Sequence, residues 1–155
     1  MKRVIYSDPN AQKYLITDKE IPKLYDDMIS GFPSYWKSGI CSAYLEFFND
    51  DVLEDRLSIN FHEEFGLCLT HEYMYDKLIK GKVRRQSIPH LAVYDKSKLN
   101  QVVDVYLELY TSVGLLLPAE LAWKGISEFI KSGGKSIELE WITPDMLPEE
   151  GNWCC

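Results

Sequence analysis

Gly133, Gly134, Lys135 and Ser136 carry the residue types that close a phosphate-binding loop. In such a loop, glycine N–H groups cradle phosphate oxygens while the lysine neutralises them. The motif needs another glycine five positions before the second one, and Phe129 stands there. The context is also reversed, because these residues follow a helical pattern and lead into a strand. They read as a helix stop. Gly125, Ile126, Ser127, Glu128 and Phe129 give half of a nucleophile elbow. Its second glycine is missing, and Ser127 falls inside a helical stretch rather than on the strained turn that exposes a nucleophile. None of the three histidines (His62, His71, His90) neighbours a recognisable nucleophile motif.

Cys68, His71 and His62 are residue types that ligate zinc. Strand alternation sends Cys68 and His71 to opposite faces, and the chain has no Cys-x-x-Cys or His-x-x-x-His pair. Carboxylates are plentiful, but a linear sequence does not show two of them converging on a substrate, so none is given a catalytic role. Cys154 and Cys155 have the form of the doubly prenylated tails of certain trafficking GTPases, yet the phosphate loop of those proteins is missing. With Cys41 and Cys68 they are too sparse and too unevenly spaced for a secreted disulfide scaffold. They read as reduced thiols of a cytosolic protein. No motif marks an enzyme, a metal site or a cofactor.

The elements that must position these residues follow from periodicity. Residues 17–30 read as a helix: Thr17 and Glu20 form a capping-box pair, Pro22 sits in the first turn, and Gly31 ends it. Ile21, Leu24, Tyr25, Met28 and Ile29 share its apolar face. Residues 43–48, 56–62 and 65–73 read as strands, with Leu57, Ile59 and Phe61 on one face of the second and Glu63 and Glu64 in the turn that follows it. Residues 74–87 read as a loop or short helix, and 88–94 as a strand. Residues 103–110 read as one strand with Val103, Val105, Leu107 and Leu109 inward. The strongest helix spans 118–132, opened by Pro118 and stopped by Gly133 and Gly134, with Ala122, Gly125, Ile126, Phe129 and Ile130 as its buried stripe. Gly125 on that stripe would let the helix sit close to a sheet. A last strand over 136–142 turns Ile137, Leu139 and Trp141 inward. Together these predict an α+β fold, one domain over 1–155, with a mostly antiparallel sheet packed by two main helices.

Size and charge narrow the function. A chain of 155 residues buries about two-thirds of its unfolded surface, so it needs neither metal nor disulfide for a core. No stretch approaches a membrane span, and the N-terminus lacks the apolar run of a secretory signal, so a cytoplasmic protein is expected. A net charge of −7 argues against direct binding of nucleic acid, which depends on cations neutralising phosphates. Acids gather at Asp50, Asp51, Glu54, Asp55, Glu63 and Glu64, and again at Asp145, Glu149 and Glu150, whereas bases gather at Lys77, Lys80, Lys82, Arg84 and Arg85. Such runs are either solvated loops or a partner surface.

Leu115, Leu116, Leu117, Pro118, Ala119, Glu120, Leu121 and Ala122, the helix through Phe129 and Ile130, then Ser132, Gly133, Gly134 and the strand ending at Glu140 and Trp141 have a distinctive order. This stretch resembles the C-terminal half of the first immunity-protein family of bacterial polymorphic toxin systems. That family shows a strand, a Pro-x-Glu-x-Ala helix entry, a helix ending in small residues, and a short strand closing on tryptophan. Lys135 and Ser136 depart from its usual Arg-Pro pair, and residues 74–99 have no clear counterpart in it.

The resemblance implies a cytosolic inhibitor that neutralises a cognate toxin domain by tight binding, without cofactor or small-molecule ligand. Toxins paired with the family are often nucleic-acid-directed, deaminases included, and a basic toxin surface suits an acidic inhibitor. The expected partner-binding residues are Asp50, Asp51, Glu54 and Asp55, taken as a loop between two strands without nearby bases except Arg56. Glu149 and Glu150 near the tail join them, with Trp153 as an aromatic anchor. A small enzyme with a dispersed site and an adaptor subunit of a larger assembly are the other classes left open.

Overall fold

The structure, a computed structural model, describes residues 1–37 and 42–153. Cys41, Cys154 and Cys155 lie outside the described residues. The fold is α+β. A hairpin of β1 (Lys2–Ser7) and β2 (Lys13–Ile16) leads to a helical segment made of α1 (Ile21–Asp26), a wider π-turn over Asp27–Gly31, and α2 (Phe32–Lys37). An antiparallel meander follows: β3 (Ser42–Asn49), β4 (Val52–His62), β5 (Gly66–Ile79) and β6 (Lys82–Val93). A separate small hairpin, β7 (Val102–Tyr106) and β8 (Leu109–Ser112), precedes β9 (Leu116–Leu117), α3 (Ala119–Ser132) and β10 (Glu140–Ile142). The main sheet runs β10-β6-β5-β4-β3-β1-β2, with β9 added to β5, and every pairing in it is antiparallel.

Alternation places the core. Leu57, Ile59 and Phe61 of β4 are buried under the helices, as the sequence pattern requires. They join Val4, Tyr6, Leu45, Leu69, Met28, Phe32, Ile126 and Phe129 in the larger apolar cluster. The opposite face of the sheet is covered as well. Cys68, Leu91, Val93, Leu99, Leu115, Leu116 and Ile142 form a second cluster there, flanked by Phe65, Val103, Leu147 and Trp153. Ser58, Asn60 and Thr70, polar positions on that face, are therefore buried rather than wet.

Helix α3 meets its expectation closely. Pro118 caps it in an extended conformation, and Gly133 ends it at φ 74 with its N–H donating to Phe129 O at 2.7 Å. A side chain on Gly125 would stand 2.7 Å from Leu139 Cδ1 and 2.8 Å from Leu69 Cδ1. The bare backbone is what lets this helix lie on the sheet.

Other elements differ. The first helix does not end at Gly31; it widens into the π-turn and continues through α2. Pro33 has no N–H to give the carbonyl four residues back, and the wider turn ahead of it absorbs that loss. Residues 74–87, expected as loop or helix, are the paired ends of β5 and β6, closed by Lys80 and Gly81 at φ 51 and 75. That pair of positive φ values makes the tight hairpin turn whose twist matches the strands. Residues 103–110 are a hairpin rather than one strand. Leu107 and Glu108 turn at φ 43 and 68, the Glu108 N–H donates to the Asp104 carboxylate at 3.0 and 3.1 Å, and Val105 alone of the four inward candidates is buried. The final strand is short. Ser136 Oγ accepts the Glu138 N–H at 3.2 Å and Ser136 O accepts Trp141 Nε1 at 3.0 Å. This local turn displaces the ladder and leaves Ile137, expected inside, 101% exposed. β1, β2 and β9 were not foreseen.

Candidate functional site

Asp50 and Asp51 form the tight turn between β3 and β4, both at positive φ (48 and 67). The expectation that they stand apart from bases is wrong. β1 pairs with β3 and brings the chain's N-terminus alongside, so the Met1 ammonium pairs with Asp50 and the Arg3 guanidinium with Asp51. Arg3 also lies over the Phe48 ring, 4.8 Å from its centroid. Its hydrogen bond, and then its charge, hold Asp51 below the usual carboxylate range.

Glu54 and Asp55 belong to β4 rather than to a loop. Glu54 accepts from Asn49 Nδ2 at 3.2 Å. Asp55 turns into the fold, where its Oδ1 lies 3.2 Å from His71 Nε2. Glu149 and Glu150 are exposed in the C-terminal segment, while Trp153 is half-buried against the second cluster rather than standing clear as an anchor. That segment is held by Ser112, whose N–H donates to Asn152 O at 2.7 Å and whose Oγ accepts the Asn152 N–H at 3.0 Å. No hydrogen bond or ion pair joins the two acidic groups among the described residues.

Asp55 and His71 make a buried polar pair. His71 Nε2 faces two acceptors, Asp55 Oδ1 and Gly133 O at 3.0 Å, so this nitrogen carries the proton. Its Nδ1 is buried without a partner among the described residues. Burial pushes Asp55 up to about 6, with the Glu54 charge adding to it. Burial also lowers His71, and it lowers His90, which lies opposite His71 across β5 and β6. His71 is 4% exposed between Phe129 and Trp141, which leaves a substrate no route to it. The pair is part of the core.

The sequence reading missed two features. First, the last partner of β5 on β4 is Tyr73, and the last partner of β6 on β10 is Leu91. Residues 74–87 therefore pair only with each other, as a two-stranded arm about 20 Å long at roughly 3.3 Å per residue. The arm carries five cations and one acid, net +4, which leaves −11 on the rest of the chain. Lys77 stands directly opposite Arg84 on one face, a like-charge pair that opposes the pairing. Leu78 and Val83, on the other face, are 70% and 68% exposed. Arg85 pairs with Asp76 across the arm at 3.1 Å and ties the arm to its base by donating to Leu53 O, next to Glu54. The arm and the acidic β3–β4 end thus share one edge of the molecule.

Second, a cleft of about 290 Å³ opens between the β1–β2 hairpin and the helical segment. It is lined by Tyr6, Asp8, Tyr14, Glu20, Lys23, Asp27 and Tyr35 over an apolar floor of Ile16 and Leu24. Tyr6 OH donates to Asp27 Oδ2 at 2.9 Å, Tyr35 OH to Asp27 Oδ1 at 3.3 Å, and Tyr14 OH to Asp8 Oδ2 at 3.3 Å. Burial first, then the two aspartate charges, raise the hydroxyls of Tyr6 and Tyr35, which keeps them protonated as donors. The π-turn and Gly31 shape this site, because a side chain on Gly31 would stand 2.9 Å from Asp27 Oδ1. The signal was the Tyr6, Asp8 and Tyr14, Ile16 alternation, legible only once β1 and β2 are recognised as strands.

No protein-family model matches the chain, and neither a curated protein nor a solved structure matches it. Among the described residues, no helix is long and apolar enough to cross a membrane.

Proposed function

We propose that this chain works by binding another protein, as an immunity protein that occupies and blocks a cognate bacterial toxin domain in the cytoplasm of the producing cell. The observation that carries the reading is the arm at residues 74–87. Ordering a backbone costs about 1–2 kcal/mol per residue, and a hairpin that buries little recovers almost none of it. Opposed Lys77 and Arg84 add repulsion, while Leu78 and Val83 leave apolar surface in water. A chain that maintains such a feature is equipped for a surface that supplies acids and apolar contacts. The neighbouring Glu54, with Asp50 and Asp51 beside their own cations Met1 and Arg3, makes the same edge mixed in sign. A mixed-sign edge fits a protein surface better than a polyanion, which the −11 body would repel.

The test is protection of cells that express the toxin domain encoded beside this chain. Wild type is expected to protect and to bind with a salt-dependent association rate. Reversing Lys77 and Arg84 to glutamate with Leu78 and Val83 changed to serine is expected to abolish both. Asp50, Asp51 and Glu54 changed to Asn or Gln, with the buried Asp55 left intact, is expected to slow association. If no neighbouring product is toxic, or if the arm variant protects as wild type does, the reading fails.

A further inference from the structure

We propose that the tyrosine-lined cleft is a binding site for an organic cation of the guanidinium type. A buried carboxylate normally has a cation to compensate it. Asp8 is 8% exposed and Asp27 is half-buried, yet neither forms an ion pair among the described residues. Their oxygens are only partly occupied. Asp8 Oδ1 is filled by the Asn10 and Gln12 N–H groups at 2.9 Å each, but Oδ2 takes Tyr14 alone. Each oxygen of Asp27 takes one tyrosine. A carboxylate oxygen accepts two hydrogen bonds, so acceptor positions remain on both side chains. Every hydroxyl in the cleft is already donating to a carboxylate, and the missing complement is a set of N–H donors bearing positive charge.

The walls select the shape of that cation. Tyr14 and Tyr6 stand nearly parallel, at 26° and 6.2 Å between centroids, and Tyr14 is 44% exposed. Such a flat aromatic wall favours a planar guanidinium, which presents five N–H donors and stacks on rings, over a compact ammonium. Ile16 and Leu24 receive a short alkyl stem. Glu20 is held by Thr17 and takes no part. Lys23 stands at the cleft as the competing intramolecular cation. The same group reaches the site either as a small alkylguanidine or as an arginine side chain of a partner. The proposal does not depend on the immunity reading, because the arm and the cleft share no residue.

Butylguanidinium and its neutral isostere butylurea are titrated into the 155-residue protein and followed by amide chemical shifts. Butylguanidinium is expected to shift residues of β1, β2 and the π-turn, and butylurea is not. Asp27→Asn is expected to weaken binding by about ten-fold or more, the loss of a charge-assisted contact. Tyr14→Ala, at an exposed ring that the core does not need, is expected to weaken it about three-fold. Lys23→Gln is expected to tighten it. Tighter binding of N-acetyl-arginine methylamide than of butylguanidinium assigns the site to a partner's arginine, and the reverse assigns it to a free guanidine. The proposal is overturned if butylguanidinium binds wild type no better than butylurea, a result independent of any variant's folding. It is equally overturned if the well-folded Tyr14→Ala and Asp27→Asn proteins bind butylguanidinium as wild type does.

Discussion

The two ends of β5 carry similar residues into different surroundings. Leu67 and Leu69 near its start are 1% and 0% exposed, packed under α3 and beside Leu117. Leu78 near its end is 70% exposed, with only β6 beside it. Backbone geometry is the same along the strand, so the difference comes from what lies above and below. At the first end two layers cover the sheet; at the second the meander has outrun both. Hydrophobic burial contributes about 25 cal/mol per Å² of apolar surface removed from water, and only the first end removes any quantity of it. Stability and exposure are therefore divided along one continuous element.

The sharpest way to break this comparison is to empty the covered end. Phe129→Ala should cost about 3–5 kcal/mol in denaturant unfolding, because its ring is fully buried against Phe47 and His71. Lys124→Ala on the outer side of the same helix should stay within about 0.5 kcal/mol, and equal effects would mean the buried side is misassigned. Overfilling comes next. Gly125→Ala should cost about 1–3 kcal/mol, since the new methyl meets Leu139 and Leu69 inside contact distance.

A third prediction uses pH. Asp55 titrates in the folded protein near 6, above its unfolded value, so the folded state holds this proton more tightly. Its stabilising contribution is complete below the unfolded pKa of about 3.9 and is lost as pH rises through about 6. His71 runs the other way: its lowered pKa favours the fold above the ordinary histidine range and that contribution fades as pH falls. Asp55→Asn should therefore gain on wild type between about pH 4 and pH 7 in unfolding titrations, and parallel curves would refute the assignment. The smallest effect belongs to the uncovered end. Leu78→Ser and Val83→Ser should each change stability by less than about 0.5 kcal/mol while altering partner binding.

How much was legible follows the same division. α3 could be read because its stripe, its Pro118 entry and its Gly133 stop all agree, and β4 because Leu57, Ile59 and Phe61 alternate with Ser58 and Asn60. The arm could not, since a strand with no covered face has no hydrophobic alternation to show; Gly81 at the turn was the only signal. β1 and β2 are short and close to the chain's start, so Tyr6, Asp8, Tyr14 and Asp27 looked unrelated. Missing β1 also misjudged Asp50 and Asp51, whose cations arrive only through its pairing with β3. The α+β class survived these omissions because the meander and α3 suffice to define it.

The π-turn at Asp27–Gly31 has a consequence in chain length. A π-turn inside a helix is a single residue more than the α-helical path needs. Deleting one residue there, Ser30 for example, would return α1 and α2 to α-helical phase with Leu24 and Phe32 still facing the sheet, but Pro33 would then leave one carbonyl of the ladder without an N–H. What would be lost is the offset that holds the Asp27 carboxylate over Gly31 and under two tyrosine hydroxyls. This segment is thus one residue longer than an unbroken α-helix, and both Pro33 and the Asp27 carboxylate use that residue.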